Sequence, residues 1–250
     1  MTPDQYLANQ LLRYSVDVGA AEAAGNLLYP TICKWAGSAL VKAEFSGSLA
    51  KGTAISIGSD ADIFISLSST TNSTLYGIYE TLFNAVTAAG YSARKQNVSI
   101  GVTVNSKSID LVPGKRQSQY GSNHSLYKSK SNTWTKTNIP THVSYVQRSE
   151  RLDEIKILKV WRALHGLSFP SFYLELAVID ALSNCRRGNL ASNVITALQH
   201  LENNICSKRY VDPANTQNVI SQDCTSYEKE AIARQAATSL GKQFWEEVVW

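Results

Sequence analysis

Residues 45–67 have the sequence FSGSLAKGTAISIGSDADIFISL, and this stretch contains the features that decide the fold. Residues 41–45 alternate between apolar and polar side chains, which predicts a strand that ends at Ser46-Gly47-Ser48. A glycine at the end of a strand lets the backbone turn sharply. Residues 49–53 are then predicted to form the first turn of a short helix, whose free N–H groups would suit an anion. The chain is expected to return through Gly58-Ser59 into a second strand at 60–67.

Two aspartates, Asp60 and Asp62, stand at the head of that second strand. Residues i and i+2 of a strand project from the same face, so the two carboxylates are predicted to lie side by side. Many Asp-x-Asp pairs occur at strand ends and bind nothing, but the apolar residues that follow predict a buried strand, where unpartnered charges are costly. A cation between the carboxylates would remove their repulsion, and oxygen-only ligands suit Mg²⁺. A phosphate site beside a carboxylate pair indicates phosphoryl or nucleotidyl transfer with two metal ions.

A third carboxylate is found at Asp110, within the apolar run SIDLVP at residues 108–113. Gly47-Ser48, Asp60-x-Asp62 and this later aspartate, in that order, resemble the signature of the DNA polymerase β-type nucleotidyltransferase superfamily. The IDLVPG run is similar to that of CCA-adding enzymes, oligoadenylate synthetases and bacterial cyclic-oligonucleotide synthases (CD-NTases). The resemblance extends over nearly the whole chain, from about residue 40 to 245.

The resemblance implies an α+β fold and a set of site residues. Residues 1–140 would form a nucleotidyltransferase core, a small mixed sheet with packed helices, and residues 141–250 a helical-bundle lobe, with the active site in the cleft between them. Asp60, Asp62 and Asp110 would be catalytic and would bind two Mg²⁺ ions, with Mn²⁺ as an alternative metal. Gly47 and Ser48 would bind the phosphates of an NTP substrate.

The second half of the chain carries a further resemblance, to the helical lobe of oligoadenylate and cyclic-dinucleotide synthases. The runs that carry it are IKILKVW at residues 155–161 and PSFYLEL at residues 170–176. By position, Lys159 and Ser171 would bind the triphosphate and Phe172 would stack on a base. The segment Asp212-Pro-Ala-Asn215, followed by Asn218, is also similar to those enzymes, although Thr216 replaces their second proline.

The composition is that of an ordinary globular chain: 250 residues, net charge +4, and 44% hydrophobic residues. No stretch is apolar enough to span a bilayer, and the N-terminus lacks the apolar core of a signal peptide, so we expect no membrane association. Four cysteines are scattered without a C-x-x-C pair, which predicts reduced thiols in a cytoplasmic protein.

The stretch between Leu111 and Ser149 contains no acidic residue but six basic ones. Its content of Ser, Asn and Thr favours a solvated, partly mobile loop. The alternative is a basic rim around a site that handles triphosphates. Helices are predicted near residues 3–16, 20–38, 75–89, 152–165, 171–182, 190–201 and 226–244, and extended structure at 91–104 with a turn at 105–107.

Three functions remain open on the sequence. The resemblance favours an enzyme that joins NTPs into a linear or cyclic oligonucleotide of the second-messenger type, with release of pyrophosphate. The second is nucleotide addition to an RNA or tRNA 3′ end, for which the chain is short, so an RNA acceptor is not favoured. The third is a non-catalytic nucleotide-binding module of the toxin–antitoxin type, against which the three aspartates argue. The oligomeric state is left open.

Overall fold

The computed structural model describes residues 1–58 and 60–250, so the predicted turn at Gly58-Ser59 lies partly outside the described residues. The helices are α1 (Pro3–Arg13), α2 (Val18–Ala36), α3 (Gly47–Lys51), α4 (Leu75–Ala88), α5 (Ile139–Ser149), α6 (Leu152–Leu164), α7 (Ser171–Ala181), α8 (Leu190–Asn204) and α9 (Ser226–Leu240). The strands are β1 (Leu40–Ser46), β2 (Ala61–Leu67), β3 (Ser92–Lys95), β4 (Ile100–Val104), β5 (Lys107–Arg116), β6 (His124–Lys128), β7 (Thr133–Thr137), β8 (Val211–Asp212) and β9 (Asn215–Val219).

The chain forms two compact units. The sheet unit comprises residues 17–51 and 60–143, and the helical unit comprises residues 1–16, 52–58 and 144–250 of the described chain. The boundary at 143/144 lies near the predicted one at 140. However, α1 and residues 52–58 group with the second half of the chain, whereas the sequence placed all of the first 140 residues in one domain.

The sheet unit contains a mixed sheet in the order β1-β2-β5-β4-β3, with β6 paired to β5 and β7 paired to β6. β2 and β5 run parallel, and the other neighbouring pairs are antiparallel. This confirms the prediction of a small mixed sheet in which the strand carrying Asp110 adjoins the strand carrying Asp62. β2 is buried on both faces from Ile63 onward. Its residues on one face form a core with apolar residues of α2, α4, β4 and β5: Ala61, Ile63, Ile65 and Leu67.

The turns and caps around this sheet follow from local chemistry. Thr74 caps α4 by accepting a hydrogen bond from the Gly77 N–H. Asn105 and Ser106 both have positive φ, as a tight two-residue hairpin turn requires, and they join β4 to β5 as predicted. β1 ends at Ser46, and α3 begins at the next residue, so the predicted strand–glycine–helix connection is confirmed, with the helix two residues earlier than expected.

The prediction of a solvated loop between Leu111 and Ser149 is wrong. This segment contains the β6–β7 hairpin and α5. Both faces of the hairpin make contacts: Leu126 is buried, and Tyr127, which projects from the opposite face, packs its ring against the rings of Tyr76 and Tyr79 of α4. A composition rich in Ser, Asn and Thr did not indicate these contacts, because the partners Tyr76 and Tyr79 lie far away in the sequence.

The helical unit has its own core, to which α6, α7 and α8 contribute most of the buried side chains. Trp161 and Tyr173 are fully buried there, as the apolar runs predicted. Thr2 and Gln5 form a capping box at the start of α1, and Thr225 and Glu228 form another at the start of α9. None of the helices in the described residues is long and apolar enough to span a membrane.

Candidate active site

The turn between β1 and α3 is fitted against Asp62. Ser46 pairs with Asp62 across the two strands, and Gly47 follows with φ of +54°. A Cβ at Gly47 would lie 1.8 Å from Asp62 Oδ2 and 2.5 Å from its Cγ. Only glycine leaves room for the carboxylate at this position and also adopts the left-handed backbone without strain. The structure therefore places the Gly47-Ser48 turn and Asp62 in direct contact.

Asp62 and Asp110 are register partners on the parallel strands β2 and β5, and Asp60 immediately precedes β2. The structure thus places all three predicted carboxylates in the sheet unit, with Asp62 and Asp110 side by side on neighbouring strands and Asp60 just before β2. Burial raises the pKa of Asp110 above its ordinary value, and the negative charge of Asp60 raises it further.

Three polar residues near this cluster were missed by the sequence analysis. Arg94 Nη2 lies 3.8 Å from Asp60 Oδ2, and Gln96 Nε2 donates to Asp110 Oδ1 at 2.9 Å. Ser99 Oγ lies 3.4 Å from Asp110 Oδ2. A signal was present in the sequence: the predicted hairpin turn at 105–107 aligns Gly101 with Asp110, which puts the polar residues before Gly101 next to the carboxylate.

The carboxylate oxygens of Asp60, Asp62 and Asp110 suit a divalent cation that takes its remaining ligands from water and substrate phosphates. In residues 1–58 and 60–250, no group of three His, Cys, Asp or Glu side chains is arranged to enclose a metal ion. Asp60 faces Arg94 and Asp110 faces Gln96, so the carboxylates do not close on a common point. Mg²⁺ uses only one or two carboxylates and completes its shell with water and substrate phosphates, and an all-oxygen set suits it.

Lys159 lies in the interior of the helical unit. Its side chain is fully buried, and its Nζ donates to Glu175 Oε1 at 2.6 Å and to Thr53 Oγ1 at 2.9 Å. Thr53 Oγ1 in turn donates to Glu175 Oε1 at 2.9 Å. In this structure Lys159 joins α6, α7 and the 52–58 segment, and a triphosphate would have to replace Glu175 as its partner. The predicted contact of Lys159 with a nucleotide stays a prediction.

The other predicted residues of the helical unit lie at the start of α7. Ser171 is its first residue, half-buried, and Phe172 follows, partly buried against the core. The Asp212–Asn218 segment forms the β8–β9 hairpin: Asp212 Oδ1 accepts from the Ala214 N–H, and Asp212 Oδ2 accepts from Asn218 Nδ2. The second of these bonds explains why an asparagine is suited to position 218, and both point to a role in shaping the hairpin.

No family model matches the sequence, and no curated protein matches it. Solved structures do. The CD-NTase CdnG of Bradyrhizobium diazoefficiens, in complex with GTP, has a TM-score of 0.81 and 12% identity, covering 96% of this chain and 90% of that one. E. coli CdnC with ATP has a TM-score of 0.72 and 21% identity, covering 94% and 89% of the two chains.

The chain has the CD-NTase fold. A third structure, the cyclic dinucleotide synthase CdnE of Elizabethkingia meningoseptica with GTP and Apcpp, agrees with a TM-score of 0.70 at 16% identity over 88% of this chain and 92% of that one. The expectation of an α+β fold of this kind, drawn from Gly47-Ser48 and the three aspartates, is therefore confirmed. At these identities the likeness establishes the CD-NTase fold, and the reaction has to be argued from the residues.

Proposed function

We propose that this protein is a Mg²⁺-dependent nucleotidyltransferase that joins NTPs into a linear or cyclic oligonucleotide and releases pyrophosphate. The observation that carries the proposal is the register of Asp62 with Asp110 on neighbouring parallel strands, with Gly47 packed directly against Asp62. The fold supports it, since CdnG and CdnC were solved with GTP and ATP and CdnE is a cyclic dinucleotide synthase.

The residues of the sheet unit divide the work. Asp60, Asp62 and Asp110 would hold Mg²⁺, or Mn²⁺ in its place, and the ion, when bound, neutralises triphosphate charge and acidifies the attacking hydroxyl. Gly47 and Ser48 bind the β- and γ-phosphates. Asp110 accepts the hydroxyl proton as the oxygen attacks the α-phosphorus. The new P–O bond forms as the bond to pyrophosphate breaks, and the rate gain comes from positioning and charge neutralisation.

The direct test is to incubate the protein with Mg²⁺ and the four NTPs and to identify products by mass spectrometry. Asp62→Asn removes the charge but keeps the shape that fits Gly47, so we expect at least a hundredfold loss of turnover. Asp153→Asn, at a carboxylate with 61% of its side chain exposed, is the matched control and should behave as wild type. Undiminished turnover in Asp62→Asn would remove this site, and no product from any NTP would favour a non-catalytic nucleotide-binding module.

A second candidate, nucleotide addition to an RNA 3′ end, has one observation in its favour. The β6–β7 hairpin combines Lys128, Lys130 and Lys136 with Trp134, which is 59% exposed, and basic residues interleaved with an aromatic suit a single strand. The same assay with an RNA oligonucleotide decides between the two. If RNA is the acceptor, the oligonucleotide would be extended. The logarithm of its binding constant would also fall linearly with the logarithm of the salt concentration, with a slope of roughly −0.7 for each phosphate contacted. We expect free NTPs to be joined instead, so that Lys128→Glu with Lys130→Glu has little effect.

A further inference from the structure

The carboxylate of Asp110 is held by the turn between β3 and β4. Gln96 Nε2 donates to Asp110 Oδ1 at 2.9 Å, and Ser99 Oγ donates to Gln96 Oε1 at 3.0 Å. These two contacts fix the Gln96 amide, because its oxygen is an acceptor facing Ser99 and its nitrogen a donor facing Asp110. Ser99 is 3.4 Å from Asp110 Oδ2, a longer and weaker contact. One oxygen of Asp110 is thus firmly bonded, and the other is left more available.

The turn that carries Gln96 is itself fastened from two sides. The Gln96 carbonyl accepts hydrogen bonds from the Tyr79 hydroxyl of α4 and from Ser129 Oγ, the latter at 2.7 Å. Ser129 N donates to the Asn97 carbonyl at 2.7 Å, and Lys130 N is 3.3 Å from Asn97 Oδ1. Ser129 and Lys130 belong to the β6–β7 turn, so this hairpin buttresses the segment that orients Asp110.

Gly101 provides the space in which Gln96 reaches Asp110. It is the register partner of Asp110 on β4, and a Cβ there would lie 2.7 Å from Gln96 Nε2 and 2.8 Å from Arg94 Nε. The φ of Gly101 is not positive, so its backbone does not require glycine. What requires glycine is the path of the two side chains that cross it.

We propose that Gln96 is a positioning residue that fixes the orientation of the Asp110 carboxylate through the space left by Gly101. The inference rests on the proposed function, in which Asp110 accepts a proton. A neutral amide suits this task, because it orients the carboxylate without supplying a positive charge that would compete with Mg²⁺ and the hydroxyl proton. Partners that orient the acidic residues of metal sites typically change activity or metal affinity by about 10- to 100-fold when mutated.

The test compares Gln96→Met and Gly101→Ala with Gln117→Met. Met keeps the length of Gln96 and removes its donor, whereas Ala at 101 leaves Gln96 intact but displaces it, together with Arg94. Gln117 is the matched control: its amide donates to Ser125 Oγ in the same sheet unit, at an exposed position. For each protein we would measure kcat and KM for NTP. A separate readout, which needs no turnover, is the Mg²⁺ concentration that half-saturates the rise in Tm caused by a non-hydrolysable ATP analogue.

We expect kcat to fall about 10- to 100-fold in Gln96→Met and in Gly101→Ala, with KM for NTP within about threefold of wild type. The half-saturating Mg²⁺ concentration should rise about tenfold or more in both. Gly101→Ala should change the ligand-free Tm little, because its backbone needs no positive φ and the atoms that the new Cβ meets belong to flexible side chains that can move. Gln117→Met should match wild type in every readout.

Two results would overturn the inference. One is wild-type kcat and Mg²⁺ dependence in both test variants. The other is a lowered ligand-free Tm in both variants with unchanged Mg²⁺ dependence, which would make Gln96 a purely structural residue. Failure of the proposed function has a different appearance, since the wild-type protein itself would then form no product. In that case the Mg²⁺ titration of the Tm rise still decides whether Gln96 orients Asp110.

Discussion

Replacing Gly47 by alanine tests whether the contact between the β1–α3 turn and Asp62 is required for chemistry. A left-handed backbone costs a residue with a Cβ about 1–3 kcal/mol. The new Cβ would also lie 1.8 Å from Asp62 Oδ2, so the carboxylate has to leave its rotamer, at about 0.5–1.5 kcal/mol more. The sum is about 1.5–4.5 kcal/mol, and each kcal/mol lowers Tm by roughly 2–4 °C in a chain of this size. Because Asp62 moves, turnover should fall at least a hundredfold.

Gly37→Ala separates the two contributions. Gly37 has φ of +52°, close to that of Gly47, but a Cβ there would meet no atom within 4 Å among the described residues outside its own chain neighbours. It should lose stability from backbone strain alone and retain turnover. The assays are thermal unfolding and product formation from NTPs, measured below the Tm of both variants. If the turnover of Gly47→Ala were within a few-fold of that of Gly37→Ala, the reaction would not depend on the position of the Asp62 carboxylate. The contact between Gly47 and Asp62 would then not be required for activity.

Two further predictions concern buried charge. Lys159→Met should destabilise the protein by about 3–5 kcal/mol in urea unfolding, because it removes the ammonium that lies 2.6 Å from the buried Glu175 carboxylate. Adding Glu175→Leu should recover most of that loss, and an effect on KM for NTP with unchanged stability would contradict this prediction. Burial lowers the pKa of His124 below its ordinary 6.5, so the stability it contributes is present above pH 6.5 and is lost as pH falls through the lowered value. The Tm of His124→Asn should therefore fall less between pH 7 and pH 5 than the Tm of the wild type. If the two curves of Tm against pH were parallel, His124 would not contribute to the pH dependence of stability.

The sheet unit was largely predictable because its signals are local and of different kinds. The turn after β1 requires a glycine at position 47 because φ is positive there. β2 requires an apolar run because both of its faces are buried. The hairpin between β4 and β5 requires turn-forming residues, which are Asn105 and Ser106. Each fixes a short range of residues, and together they leave few ways to pair the strands. The neighbouring positions of Asp62 and Asp110 follow from that pairing.

The β6–β7 hairpin could not be predicted in the same way. Its order depends on long-range contacts, notably the Tyr127 ring on Tyr76 and Tyr79 and the bonds from Ser129 to the β3–β4 turn. A local composition of Ser, Asn and Lys carries no information about such partners. The contacts of Gln96 were missed for a related reason, because they depend on a side chain crossing an adjacent strand at the one position where Gly101 permits it.

For Lys159, the sequence predicted the helix on which it lies but not the residues that surround its side chain. The resemblance placed this lysine by its distance from Trp161, and the structure does put it on the helix expected, α6. Sequence spacing cannot show which way the ammonium points or that Glu175, one helix later, supplies a carboxylate 2.6 Å away. Glu175 lies within the mostly apolar run of residues 172–182, where a single acid has little effect on the pattern that predicts a helix. A buried charge needs a partner, so the unexplained Glu175 was itself the evidence that a buried cation had to be nearby.

The pKa of Asp110 is raised even though the β3–β4 turn supplies hydrogen-bond donors to its carboxylate. Arg94 and the hydrogen bonds of Gln96 and Ser99 all lower the pKa of Asp110, yet burial and the charge of Asp60 outweigh them and the pKa is raised. In the helical unit, the buried Glu175 carboxylate has the Lys159 ammonium 2.6 Å away. In the sheet unit, Arg94 lies near Asp60 and is largely exposed, whereas the donors to Asp110 are an amide and a hydroxyl. The carboxylate repulsion that remains is the property that would favour binding of a divalent cation with its triphosphate.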